Sequence, residues 1–216
     1  MNCPLCESKS KFFLAGENRE YLRCSVCQLI FVPPKYFISR KEEIEHYLKH
    51  ENSLENEGYV RMFNEKIRVI KNLCQGVQTV LDYGCGYEPV LKTLLTREGF
   101  TVTGYDPNFF PEMNSNATFD LIISTETFEH FKQPDKEILS LLSRLAPGGY
   151  LAIMTRLVPQ QDQLAAQESF GNWYYQRDPT HIAFYDNDTF SWIAHRYGME
   201  ILFNNEKDFV VLQRKP

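Results

Sequence analysis

Two glycines and two acids near the middle of the chain are spaced for binding a nucleoside. Gly84 and Gly86 follow the apolar residues Val80-Leu81, and Asp106 comes at the end of the next predicted strand. A strand that turns sharply into a helix needs such glycines, because they let a ligand come close to the backbone. An acid at the end of the following strand can bind ribose hydroxyls. The pattern therefore predicts a nucleoside-binding crevice.

The charges beside this crevice favour a cationic ligand. Pro89 stands where the third glycine of a dinucleotide-binding motif belongs, and Asp82 and Glu88 bring two carboxylates toward the expected position of a pyrophosphate. Carboxylates repel phosphate, but they attract a ligand that carries a sulfonium and an ammonium group. We therefore predict S-adenosylmethionine, rather than a nicotinamide dinucleotide, as the cofactor.

Four cysteines near the N-terminus form a second chemical pattern. Cys3 and Cys6 make one C-x-x-C pair, and Cys24 and Cys27 make another. Two such pairs can hold one Zn²⁺ ion in a tetrahedron of thiolates, which leaves no open position for catalysis. So short a segment has little core, and a metal would supply its folding energy. We predict a zinc ribbon over residues 1–34 with structural zinc, rather than a redox pair or free thiols.

The bulk properties fit one α/β core with a small appendage. The chain has 216 residues, is 43% hydrophobic and carries a net charge of −5. An acidic total argues against a protein whose main task is binding nucleic acid. No apolar run reaches the roughly eighteen residues of a membrane span, and Cys3 follows the initiator too closely for a leader. We therefore expect a soluble, cytoplasmic protein without membrane partners.

Four motifs resemble those of class I S-adenosylmethionine-dependent methyltransferases. They are Val80–Gly86, Val102–Asp106, Phe119–Phe131 and Leu145–Leu151. The resemblance implies a Rossmann-like α/β sheet over residues 77–216, preceded by helices over 35–76 and the ribbon. It also implies a cofactor site at the carboxyl ends of the strands, formed by Asp82, Gly84, Cys85, Gly86, Asp106 and Thr125.

One segment departs from the family pattern. Between Asp106 and Phe119 there is room for barely one turn of helix, so we expect the third strand to be shortened or missing. Asn108, Phe109 and Phe110 then either wall the adenine or fill the gap that the missing strand leaves.

The candidate catalytic residues follow the fourth predicted strand and recur later in the chain. Glu129-His130 resembles an acid–histidine pair of small-molecule methyltransferases, in which the imidazole can take a proton and the carboxylate can orient it. His181, in a loop that resembles a bacterial subgroup of these enzymes, is a second candidate base. Alternatively, either histidine simply packs and hydrogen-bonds at its position.

A long aromatic segment, residues 158–185, is predicted to cover the site as a substrate lid. Aromatic side chains mixed with a few polar groups suit a small-molecule pocket, and Trp173, Tyr175 and Tyr185 are the candidate substrate contacts. Alternatively, the aromatics only pack the lid against itself.

The leading hypothesis is methyl transfer to a small molecule by in-line displacement. Two alternatives remain open. A ribosomal RNA base methyltransferase would use the mildly basic ribbon to contact RNA. A non-catalytic protein would bind the cofactor without turnover.

Overall fold

The computed structural model describes residues 1–49, 52–114, 116–159 and 163–215. The strands are β1 (Ser10–Ala15), β2 (Glu20–Cys24), β3 (Ile30–Phe31), β4 (Thr79–Tyr83), β5 (Thr101–Tyr105), β6 (Phe119–Thr125), β7 (Leu145–Met154), β8 (Ala183–Phe184), β9 (Met199–Asn204) and β10 (Phe209–Arg214). The α-helices are α1 (Arg40–Tyr47), α2 (Glu57–Leu73), α3 (Val90–Arg97), α4 (Pro134–Ser143), α5 (Gln163–Asn172) and α6 (Asn187–Arg196).

Six strands form a mixed central sheet in the order β5-β4-β6-β7-β10-β9. The pairs β4–β5, β4–β6 and β6–β7 are parallel, and β10 is antiparallel to both of its neighbours. The described residues between β5 and β6 form no strand, as the short spacing predicted. Strand β5 is therefore the edge strand of the sheet, and the carboxyl ends of the parallel strands β4, β5 and β6 lie together at one end of it.

Both faces of this sheet are buried, because its central strands are almost continuously apolar and successive side chains point to opposite faces. Val80 faces a layer built from α2 and α3, with Phe63, Ile67 and Leu95 at its centre. Leu81, the next residue, faces the opposite layer, which contains α4 and α6. The α/β methyltransferase fold predicted from the motifs is confirmed by this arrangement.

The N-terminal segment forms a second, four-stranded sheet in the order β1-β2-β3-β8. Strands β1 and β2 lie between the two cysteine pairs, within the segment predicted as a ribbon. Its fourth strand, β8, comes from the end of the aromatic segment and pairs Phe184 with Ile30. The ribbon is therefore hydrogen-bonded to the segment that was predicted to cover the site.

Two local features shape the ends of β7 and α6. Strand β7 begins at Leu145, and Pro147-Gly148-Gly149 lies within it as a bulge between paired residues Phe119/Leu145 and Leu121/Tyr150. Helix α6 is capped by Asp186, whose carboxylate accepts a hydrogen bond from the Thr189 N–H at 2.8 Å.

Among the helices of the described residues, none is both long and apolar enough to cross a membrane.

Candidate active site

A cavity of about 950 Å³ opens above the carboxyl ends of β4, β5 and β6. All six predicted cofactor residues line it, together with the predicted substrate residue Tyr175 and both candidate histidines. Strand ends from one sheet and the aromatic segment from another part of the chain thus meet in one chamber.

The glycine turn after β4 has a conformation that other residues rarely adopt. Gly84 has φ +83° and Gly86 has φ +67°. A Cβ atom at position 84 would lie 2.1 Å from the Thr127 hydroxyl oxygen, so this position has room only for glycine. The turn is anchored to the neighbouring strand, because the N–H groups of Gly84 and Cys85 both donate to the Tyr105 carbonyl. The backbone here is rigid and open to a ligand.

Asp82 is a buried carboxylate with one oxygen left without a partner. Its Oδ2 accepts from the Lys92 N–H in the first turn of α3 at 3.1 Å, whereas its Oδ1 has no hydrogen-bond partner. Burial raises the pKa of Asp82 to about 7. Because an unpartnered buried oxygen is costly, this atom is a ready acceptor for the cationic group of a ligand.

Asp106 organises the turn that replaces the missing third strand. Its Oδ1 accepts from the N–H groups of Asn108 and Phe109, and its Oδ2 accepts from the Gly86 N–H at 3.2 Å. This role in the turn is compatible with the predicted ribose contact, since a carboxylate that caps a turn still has lone pairs for a ribose hydroxyl. Asn108 and Phe109 line the cavity, whereas Phe110 is absent from its wall and is 42% exposed.

Two acids and a tyrosine form a buried polar cluster beside the carboxyl end of β6. The Tyr175 hydroxyl lies 2.6 Å from Oε1 of Glu129 and 3.2 Å from Oε2 of Glu126, and Thr155 donates to Glu129 at 2.8 Å. Burial, followed by the neighbouring Glu129 carboxylate, raises the pKa of Glu126 to about 8. Burial also raises the pKa of Glu129 to about 7. This cluster can therefore hold a proton near neutral pH.

In both histidines Nδ1 is bonded to a backbone carbonyl, which leaves Nε2 for other partners. Nδ1 of His130 lies 3.0 Å from the Thr180 carbonyl, and Nδ1 of His181 lies 2.8 Å from the Tyr175 carbonyl. A carbonyl only accepts, so each Nδ1 carries the proton and each Nε2 keeps its lone pair. The two rings are 5.0 Å apart. Burial lowers the pKa of both histidines, that of His181 to about 3, so the rings are neutral.

The structure separates the candidate residues of the aromatic segment. Tyr175 lies on the cavity wall, but Tyr185 is fully buried, donates to the Phe128 carbonyl at 3.1 Å and packs on Phe190. Trp173 is likewise absent from the cavity wall and packs against Phe170. Neither Tyr185 nor Trp173 therefore lines the cavity. Glu129 lies just behind the wall, where His130 and Tyr175 cover it.

Two features of the site were not predicted from the sequence. Glu126 lines the cavity with φ +47°, a strained conformation that is frequent at functional sites. His46 of α1 bonds the Asp178 carboxylate at 2.9 Å, across the cavity from the sheet. No local signal predicts either feature, because a left-handed glutamate has no sequence signature and the His46–Asp178 contact joins distant segments.

The four N-terminal cysteines lie together, as their spacing predicted. Their sulfur atoms are all within 4.8 Å of one another, with 3.5 Å between Cys3 and Cys27 and 3.3 Å between Cys6 and Cys24. These separations exceed the roughly 2.05 Å of a disulfide. Four thiolates about 2.3 Å from a Zn²⁺ ion would lie about 3.8 Å apart, so the residues present fit that ion.

Comparison with known families decides the class of the protein. A family model described as a methyltransferase domain matches residues 44–203, which is most of the chain. The chain belongs to this family. It is a class I S-adenosylmethionine-dependent methyltransferase, and the cavity described above contains its cofactor motifs. A search of curated proteins found no match.

Solved methyltransferase structures share the fold at low sequence identity. The N-methyltransferase NodS from Bradyrhizobium japonicum, in complex with S-adenosylhomocysteine, is 14% identical with a TM-score of 0.50, covering 81% of this chain and 97% of its own. An S-adenosylmethionine-dependent methyltransferase from Archaeoglobus fulgidus is 16% identical with a TM-score of 0.51, covering 72% and 94%. The plantazolicin methyltransferase BpumL is 12% identical with a TM-score of 0.51, covering 82% and 91%.

Proposed function

We propose that this methyltransferase transfers the methyl group of S-adenosylmethionine to a small-molecule acceptor. The observation that carries the proposal is one cavity of about 950 Å³ that is lined both by the cofactor motif and by residues of the buried polar cluster. A cavity of this size has room for two small ligands side by side, which suits a reaction that needs alignment above all.

The cofactor would be held by the ends of β4 and β5. The orphaned Oδ1 of Asp82 would accept from the ammonium of the methionine part, and Gly84 and Gly86 would let that part approach the backbone. Asp106 would accept from the ribose hydroxyls, with Phe109 beside the adenine. Cys85 and Thr125 line the same wall and would contact the cofactor between these ends.

The acceptor would be activated where Glu129, His130 and His181 meet. The free Nε2 atoms of the two histidines can receive a proton from a hydroxyl or an acidic carbon. The acceptor lone pair would then attack the methyl carbon in line with the departing sulfur. Tyr175, which lines this end of the cavity, would orient the acceptor.

We further propose that Cys3, Cys6, Cys24 and Cys27 hold one structural Zn²⁺ ion. Their clustered sulfurs support this proposal, and with four thiolates the ion would have no open position. The ribbon, residues 1–34, would then serve as scaffold for the segment 158–185, of which residues 160–162 lie outside the described part of the chain. Residues 35–76 would link it to the core, 77–216.

Three basic side chains in and next to the ribbon argue against RNA as the acceptor. Arg19 donates to backbone carbonyls of the aromatic segment, Arg23 bonds Asp186 at 3.0 Å, and Lys35, which follows the ribbon, bonds Glu20 at 3.0 Å. Because these three charges are engaged within the protein, they do not form a free path for a phosphate backbone. The shared fold of the solved methyltransferases does not by itself identify the acceptor.

Calorimetry followed by an acceptor panel tests the proposed function. Titration with S-adenosylmethionine should show one site per chain, whereas a nicotinamide dinucleotide should give no heat. Transfer of a labelled methyl group to hydroxyl, amine, thiol or carbon acceptors of low molecular mass should then identify the substrate. Binding without transfer across the panel would favour the non-catalytic alternative, and transfer to RNA alone would overturn the small-molecule assignment.

A further inference from the structure

Three side chains at the acceptor end have the composition of a metal site. One ligand atom each from Glu129, His130 and His181 lies within 4.8 Å of the other two. Two imidazoles and one carboxylate are a common ligand set for a divalent cation that keeps open positions. The set is assembled from two segments, since Glu129 and His130 follow β6 and His181 belongs to the aromatic segment.

The histidine rings are oriented as in metal centres. Metal-binding histidines usually donate one ring N–H to a carbonyl or carboxylate, which fixes the other nitrogen as the ligand. Nδ1 of His130 does so toward Thr180, and Nδ1 of His181 does so toward Tyr175. The nitrogen left to bind an ion is therefore Nε2 in both rings.

The carboxylate is held in the same manner. Glu129 is fully buried, and it is bonded by the hydroxyls of Tyr175 at 2.6 Å and Thr155 at 2.8 Å. Its Oε1 lies 3.9 Å from Nε2 of His130, which is too far for a hydrogen bond. Nitrogen and oxygen ligands lie about 2.0–2.2 Å from Zn²⁺, so a single ion spans this gap.

We propose that Glu129, His130 and His181 bind one divalent cation of the Zn²⁺, Mn²⁺ or Fe²⁺ kind, whose open positions face the cavity and receive a hydroxyl oxygen of the acceptor. This inference rests on the proposed function and changes how the acceptor is activated: with the cation bound, both Nε2 atoms are its ligands, so the acceptor proton goes to solvent rather than to a histidine. The O–H bond breaks, its proton passes to water, and the oxygen stays on the cation. An oxygen lone pair then forms the bond to the methyl carbon as the carbon–sulfur bond breaks, leaving S-adenosylhomocysteine.

Mn²⁺ alone is the probe that tests the site, because it prefers imidazole and carboxylate ligands and leaves the cysteine cluster alone. Electron paramagnetic resonance titration of the full chain should find one bound Mn²⁺, with nitrogen couplings from two imidazoles. His130→Ala, His181→Ala and Glu129→Gln should each weaken binding at least tenfold. The exposed His195 of α6 provides the matched control, since His195→Ala should bind Mn²⁺ as the parent does.

The cysteine-bound zinc content and the affinity for S-adenosylmethionine report whether each variant is folded. The metal site would be overturned if none of Mn²⁺, Zn²⁺ and Fe²⁺ bound outside the cysteines. It would also be overturned if these ions bound to the folded variants as tightly as to the parent. Full turnover by chelated protein that retains its cysteine-bound zinc would also overturn it, but would leave the proposed function intact. A chain that binds no S-adenosylmethionine in any metal state would instead overturn the proposed function.

Discussion

At the scale of single residues, Asp82 shows how burial prepares a carboxylate for a cationic ligand. One of its oxygens holds the first turn of α3 and the other has no partner. Its pKa is raised to about 7 by burial, so the apo protein near neutral pH holds a mixture of protonated and ionised forms. An arriving ammonium favours the ionised form, and binding therefore releases a proton.

Cofactor affinity should depend on pH through Asp82. Because the pKa of Asp82 is about 7 without ligand and falls when an ammonium is bound, affinity should rise as the pH increases toward 7 and level off above it. Calorimetry in two buffers of different ionisation enthalpy measures the proton release directly. Asp82→Asn should bind S-adenosylmethionine more weakly and release no proton from this position. If the variant released as many protons as the parent, the proton release would have to come from another group.

Asp106 should contribute to cofactor binding through its charge. Asp106→Asn keeps an acceptor for the N–H groups of Asn108 and Phe109 but removes the negative charge. We expect the binding of S-adenosylmethionine to weaken by about 1.5–3 kcal/mol in free energy, the range of a hydrogen bond to a charged group. Equal heats of binding for parent and variant would leave Asp106 with a role in the turn alone.

At the scale of elements, the ribbon and the aromatic segment form one unit. Beyond the pairing of β3 with β8, the Val32 N–H donates to the Ile182 carbonyl at 2.9 Å. The Arg19 guanidinium donates to the carbonyls of Gln176, Asp178 and Pro179. These bonds hold the loop that carries His181, so the ribbon would position any catalytic group on that loop.

Arg19 should therefore act as a positioning residue. Arg19→Ala frees three carbonyls of the loop, and small displacements of a catalytic group cost up to about 100-fold in rate. We expect turnover to fall by about 10- to 100-fold, while calorimetry shows an unchanged affinity for S-adenosylmethionine. Lys35→Ala, which removes an exposed ion pair with Glu20 on the same ribbon, should leave both quantities unchanged. A loss of cofactor affinity in Arg19→Ala would indicate general unfolding instead.

At the scale of the whole molecule, the cysteine cluster belongs to the protein core. Cys3, Cys24 and Cys27 are buried in the same apolar layer as Leu81 and Ile193. The Leu29 carbonyl also contacts this cluster, since it accepts a hydrogen bond from the Cys24 N–H at 3.0 Å. Removal of a metal here would loosen the layer against the central sheet as well as the ribbon.

Loss of the cysteine-bound metal should destabilise the entire chain. Cys24→Ser should remove about one Zn²⁺ per chain, lower the melting temperature by about 10 °C and reduce turnover, because β8 loses its neighbours. Cys74, a buried cysteine outside the ribbon, is the control, and Cys74→Ala should keep its zinc. Metal analysis with calorimetric melting measures both effects. If metal analysis found no zinc in carefully prepared parent protein, the assignment of a metal to the four cysteines would be refuted.

The sequence alone determined those parts of the fold that depend on near neighbours. Gly84 and Gly86 need a left-handed backbone that few other residues adopt, and two C-x-x-C pairs need little else to form a thiolate cluster. The apolar residues before the glycine turn predicted strand β4, and the short spacing after β5 predicted that the described residues between β5 and β6 form no strand. These features are local, so residue type and spacing are sufficient to predict them.

Only the tertiary structure decided which distant residues meet. An aromatic pattern predicts burial but not the partner, so Tyr175 and Tyr185 look alike in sequence although one lines the cavity and the other fills the core. Likewise, His130 and His181 become neighbours only because the aromatic segment folds back over β6 and is held there by the ribbon. Such contacts depend on the closure of long loops and the packing of whole layers, which spacing along the chain does not encode.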